Sequence, residues 1–157
     1  MSAGSIVAAG VGILLLVITA YVLIGVTLTT TEVMVEAQSN LVAHQEARMR
    51  TAIAIQNTTM NNLTLYVDVK NTGNEPIVDI RSIDVYLHDE AAPVYIPFGT
   101  GPYHWSKLTI EPDTVHPGQW DPGETLNLTV TLEGGANPTC VQVVTPNGVS
   151  ASAYIGD

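Results

Sequence analysis

"NLTLYVDVKNTGNEPI", residues 62–77, decides how this chain folds. Leu63, Leu65, Val67 and Val69 alternate with Thr64, Tyr66, Asp68 and Lys70, and a period of two puts one set on each face of a β-strand. Asn71-Thr72-Gly73-Asn74 follows as turn chemistry, because Gly and Asn tolerate positive φ. The pattern recurs downstream. "IRSIDVYLHD" (80–89) sends Ile83, Val85 and Leu87 inward and Asp84, Tyr86 and His88 outward. "ETLNLTVTLE" (124–133) does the same with Leu126, Leu128, Val130 and Leu132 inward. Shorter strands are expected at Ala52–Gln56, Pro93–Pro97, Leu108–Glu111, Thr139–Thr145 and Ser150–Ile155. About seven or eight short strands divided by turn signals specify an antiparallel β-sandwich. A parallel α/β sheet is excluded, since its strands are apolar on both faces.

Upstream the chain changes character. No charged residue occurs from Met1 to Thr31, and Glu32 is the first. About 20 apolar residues suffice to cross a bilayer, and this run exceeds that. A cleavable secretory peptide has a basic start and a shorter apolar run, and a prepilin-type signal carries basic residues before its cut. No Lys or Arg precedes Arg48, so retention of the segment is expected. Glu32 to Arg50 contains no Gly or Pro and is rich in Ala, Gln, Glu, Met and Arg, which favour helix. Val35, Leu41, Val42 and Met49 form a weak apolar stripe along it. One helix is expected from about Ser5 to Arg50, about 65–70 Å long at 1.5 Å per residue. Its first two-thirds would span a membrane and its last third would form a stalk. Gly4, Gly10, Gly12 and Gly25 permit close helix–helix approach in lipid, although a lone lipid-facing anchor accommodates them equally. The reading is an α+β architecture: a membrane helix and stalk over residues 1–50, then an all-β sandwich over 51–157.

Charge narrows the function classes. The chain carries a net charge of −10, and twelve of its fifteen carboxylates lie beyond residue 50, against Lys70, Arg81 and Lys107. Such a surface repels nucleic-acid phosphates and anionic headgroups. It suits plain solubility, cationic partners or a high-salt medium. Arg48 and Arg50 alone would place the following domain in the cytoplasm by positive-inside counting, but they lie 17 or more residues past Thr31, where that rule loses force.

Catalytic chemistry finds no constellation. A copper-binding sandwich needs His and often Met close after its Cys, and "VQVVTPNGVSASAYIGD" after Cys140 holds neither. Cys140, in an apolar strand pattern, is expected as a small core residue, and a single cysteine excludes an intrachain disulfide. His44, His88, His104 and His116 offer no third close ligand for zinc. Glu111, Asp113, Asp121 and Glu124 lack ordered calcium-ligand spacing. No catalytic residue, metal site or cofactor is expected.

Contact surfaces are a better prospect. "FGTGPYHWSKL" (98–108) gathers Phe98, Tyr103 and Trp105 among Gly and Pro, and "EPDTVHPGQWDPGE" (111–124) sets two Pro-Gly turns around Trp120. Aromatics on loops stiffened by Pro lose little entropy on binding, which makes these four candidate protein-contact residues. For Trp105 and Trp120 the competing reading, that they plug the ends of the sandwich, is the favoured one. Three N-x-[ST] sequons, at Asn57, Asn62 and Asn127, are candidate glycosylation sites and lean towards an exterior location.

An uncharged amino-terminal helix, a helical stalk, "LYVDVKNTGNEPIVDIRSIDVYL" and "WDPGETLNLTV" together resemble archaeal archaellum and type IV pilin-like proteins. Within them the likeness is nearest to the accessory proteins of the FlaF/FlaG type, and it runs over essentially the whole chain. The resemblance implies an immunoglobulin-like sandwich held outside the cytoplasmic membrane by its helix. It implies a non-enzymatic anchor of the archaellum motor, whose partners are surface-layer protein and other archaellum components. The alternative within the same superfamily is a filament-forming subunit packed through its helix. The absent basic cleavage site favours the anchor.

Overall fold

The computed structural model describes residues 3–89, 92–134 and 136–156. The chain divides into two compact units, Met1–Ala43 and His44–Asp157. Helix α1 runs from Ala3 to Arg50, continuous because its polar second half contains neither Gly nor Pro. Ala3–Gly25 is long and apolar enough to cross a membrane by length and composition. Its large side chains, among them Ile6, Ile13, Leu16, Tyr21 and Leu23, are all exposed, and a helix apolar all round requires lipid or other helices as its surroundings. The four glycines have nothing within 4 Å of the position a Cβ would take.

The second unit is an antiparallel sandwich of two four-stranded sheets. Its strands are β1 (Ile53–Asn61), β2 (Thr64–Asn71), β3 (Asp84–His88), β4 (Pro93–Ile96), β5 (His104–Glu111), β6 (Thr125–Thr131), β7 (Cys140–Val144) and β8 (Ser150–Tyr154). One sheet has the order β1-β2-β6-β5 and the other β4-β3-β7-β8. Leu65, Val67 and Val69 meet Leu126, Leu128 and Val130 across the β2–β6 ladder, and Val85 and Leu87 lie beside Val141 and Val143 across β3–β7. All ten are buried and build the core between the sheets. The alternation read from the sequence therefore gives the correct inward face for β2, β3 and β6. Leu63 is the exception. It sits in the β1–β2 turn beside Asn62, whose φ is 53°, and is 46% exposed.

Three further departures have local causes. β1 is longer than expected because a bulge at Gln56 lets it continue to Asn61 against β2. A second bulge, at Leu108, lets β5 start at His104, before the apolar run that marked it; the extra residue of a bulge is left out of the ladder, and Leu108 is exposed. Cys140 is not a core residue. It begins β7 one position before Val141, so the alternation turns it outward, opposite Tyr154 and His88, and half-buried.

The last turn of α1 is clasped by the segment after β2. The Ala52 carbonyl accepts from the amides of Thr72 and Gly73, both at 2.9 Å, and the Arg50 carbonyl accepts from Asn74 at 2.8 Å. Thr51 donates to Ala47 O and accepts from Asn147 Nδ2 at 2.6 Å. Gly73 is obligatory here: an added Cβ would lie 2.5 Å from Arg50 O and closer still to Ala52 N.

Candidate protein-contact site

Residues 97–103 link β4 to β5, and Trp105, the second residue of β5, pairs back onto Phe98 in this link. Phe98 and Trp105 form a parallel bridge, with Gly99 N–H donating to Trp105 O at 2.9 Å and Trp105 N–H to Pro97 O at 3.0 Å. Their rings meet edge to face with centroids 4.8 Å apart, a favoured aromatic geometry. Trp105 is fully buried, whereas Phe98 is 39% exposed. The exposed ring is thus fixed from beneath by the buried one.

Tyr103 is also 39% exposed and has φ 52°, a left-handed conformation that costs a side-chain-bearing residue about 1 kcal/mol or more. Its amide donates to Thr131 O at 2.7 Å, which holds it there. Tyr103 lines a cleft of about 340 Å³ with Leu87, Val94, Ile96 and Leu132. Phe98 lines a separate cleft of about 330 Å³. Of the four aromatic candidates, these two present surface. Trp105 and Trp120 are both buried to 0% exposure and act in the core, because β5 begins early enough to carry Trp105 inward and Trp120 bridges to Ile77.

Trp120 belongs to a polar knot that sequence spacing did not reveal. Pro117-Gly118 and Pro122-Gly123 make two turns, with Gly at φ 90° and 88° and closing bonds Gln119 N–H to His116 O and Glu124 N–H to Asp121 O; positive φ at the third turn residue is the reason for Gly. Glu124, 3% exposed, accepts from Asp121 N–H at 3.0 Å and Thr114 N–H at 3.2 Å. Asp121, also 3% exposed, accepts from His116 N–H at 2.9 Å and faces His116 Nδ1 at 3.1 Å. Asp113 accepts from Gly118 N–H, and the Trp120 indole donates to Glu124 O at 3.0 Å. The carboxylates weighed as calcium ligands at Asp113, Asp121 and Glu124 thus accept main-chain hydrogen bonds. Among the described residues no group of three His, Cys, Asp or Glu is placed to hold a metal ion. A Pro-Gly pair flanked by Asp and Glu was the available signal.

The sequons share one sheet. Asn57 on β1 pairs in register with Asp68, which pairs with Asn127 on β6. Asn127 Nδ2 donates to Thr109 Oγ1 at 2.9 Å, and Asn62 forms the β1–β2 turn. Thr59, Tyr66, Thr129 and Ser106 make the next row. The outer face of β1-β2-β6-β5 is accordingly polar across all four strands.

Comparison with known proteins adds the following. The family model described as archaeal-type flagellin matches residues 7–155. The archaellum periplasmic stator protein FlaG from Sulfolobus acidocaldarius shares the fold, with TM-score 0.55 and 19% identity over 67% of this chain and 99% of that one. The archaellum periplasmic stator protein complex FlaF and FlaG from the same organism gives TM-score 0.52 and 19% identity, over 66% and 87% of the respective chains. No curated protein sequence matches.

Proposed function

The chain belongs to the archaeal-type flagellin family, and from that premise we propose that it is a non-enzymatic archaellum component in the cell membrane, with its sandwich outside the cytoplasm. In this reading Ala3–Gly25 is the single membrane span and the sandwich grips surface-layer protein, giving the motor a fixed element to push against. The observation that carries the reading is the joining of a membrane-length apolar helix to a sandwich with the fold of the Sulfolobus archaellum periplasmic stator proteins. Burial of some 20 apolar residues in lipid makes such a hold effectively irreversible, as a static element requires. Phe98 and Tyr103 are the proposed contact residues. The three sequons, if glycosylated, would clothe the β1-β2-β6-β5 face and leave the 98–105 segment as the site of grip.

Gene deletion combined with electron microscopy tests this. Cells that keep their filaments yet cannot swim, with the same defect from Phe98→Ala or Tyr103→Ala, support the anchor. Purified filaments containing this chain in stoichiometric amount overturn it in favour of a filament subunit.

A further inference from the structure

The sandwich has twelve carboxylates and three cations, yet two of those cations, Arg81 and Lys107, line the same cleft beside Phe98. Both are exposed. Neither takes part in the ion pairs formed among the described residues, which join Arg50 to Glu46 and Glu75 and His116 to Asp121. Asp79 also lines the cleft, but its Oδ2 accepts from Ser82 Oγ at 2.5 Å. Asp79 keeps its charge, so the lining carries two positive charges against one negative on a surface that is otherwise strongly negative. With four carboxylates available per cation, the low-cost arrangement for two neighbouring cations is to pair each with a local Asp or Glu. Among the described residues neither cation is in such a pair, which leaves both able to take an outside anion.

The surroundings are stiff. Arg81 stands on the 3-10 turn Ile80–Ser82, whose Ile80 is buried. Its guanidinium carbon lies 5.8 Å from the Phe98 ring centroid, within cation–π range, and Trp105 braces that ring from below. Lys107 sits at the β5 bulge. An arginine with its fork free and one face on an aromatic ring suits bidentate capture of a carboxylate. The rest of the surface would repel an acidic partner, so attraction focuses at this point.

We propose that the Arg81–Lys107–Phe98 cleft receives Asp or Glu side chains from an acidic loop of a partner protein. The inference rests on the reading of the sandwich as a gripping head and assigns the chemistry of what it grips.

The test uses the full-length chain in nonionic detergent, with poly-L-glutamate as the probe. Wild-type protein should bind it at low salt, and binding should fade steeply as salt is raised. Arg81→Gln or Lys107→Gln should weaken binding about tenfold or more, with Arg81→Lys in between. Lys70→Gln removes the same charge away from the cleft and should stay within about twofold of wild type. No binding by wild type, or equal losses in R81Q and K70Q, overturns the proposal. Both variants sit at the surface, and an unchanged circular dichroism spectrum confirms their fold. Retention of surface-layer protein separates the two readings. If R81Q retains it as well as wild type does, the cleft assignment fails and the anchor stands. If wild type binds poly-L-glutamate but not surface-layer protein, the anchor fails and the carboxylate site stands.

Discussion

Glu124→Gln is a one-atom change that should loosen the whole end of the sandwich. The glutamate accepts two main-chain bonds at once, from Asp121 N–H at 3.0 Å and Thr114 N–H at 3.2 Å. A carboxamide keeps one oxygen, so one of these amides would face an NH₂ group, donor against donor. The shorter and more buried bond to Asp121 should survive and the one to Thr114 should be lost. A hydrogen bond to a charged group is worth about 1.5–3 kcal/mol, and the retained bond also weakens when the acceptor becomes neutral. We expect a loss of about 2–3 kcal/mol. The assay is urea unfolding of the full chain in nonionic detergent, followed by tryptophan fluorescence. Trp105 and Trp120 are the only tryptophans and both are buried in the sandwich, so the signal ignores the helix. With a urea slope of about 1–1.5 kcal/mol per molar for a domain of this size, the midpoint should fall by about 1.3–3 M. Glu133→Gln removes the same charge from an exposed site and should shift it by less than about 0.3 M. An equal shift in the two variants, or none in E124Q, refutes the pinning role of the carboxylate.

Gly73→Ala should cost about 3 kcal/mol in the same assay, since its Cβ displaces a clasp of three backbone hydrogen bonds worth about 1 kcal/mol each; an unchanged midpoint would contradict the steric argument. Gly10→Leu and Gly12→Leu should leave swimming intact if the helix is a lipid-facing anchor, whereas loss of filaments would indicate close helix packing. Cys140, half-buried on the outer side of β7, should react with a maleimide in the native protein. Labelling only after unfolding would return it to the core.

What the sequence disclosed follows from where solvent lies. β2, β3 and β6 each have one wet and one dry face, so alternation in Leu65–Val69, Val85–Leu87 and Leu126–Val130 was sufficient to orient them. Trp105 was read both as a surface contact and as a plug of the sandwich, because Gly99, Gly101 and Pro102 spell a loop; the ladder with β6, in which the strand begins at His104, decides for burial. Cys140 misled through its apolar neighbours, although the parity of Val141 and Val143 already placed it on the opposite side. The knot around Glu124 was illegible for a different reason: a carboxylate at that spacing looks the same whether it faces a cation, water or its own main chain. The cleft at Arg81 and Lys107 joins residues 26 positions apart in the chain, a proximity that only the folded sandwich creates.

The clasp at the end of the helix has a mechanical meaning. A chain passing from helix to strand through one unrestrained residue would behave as a swivel, free to spin about the bonds of Thr51. Here three successive amides, of residues 72, 73 and 74, grip the carbonyls of Arg50 and Ala52. Of these, the Asn74 bond to Arg50 O reaches across Thr51 to the helix, and Asn147 Nδ2 holds the Thr51 hydroxyl itself, while the two bonds to Ala52 fix the first residue on the sandwich side. The last helical residue and the residue after it are thereby tied to the sandwich, which removes an unrestrained swivel at Thr51.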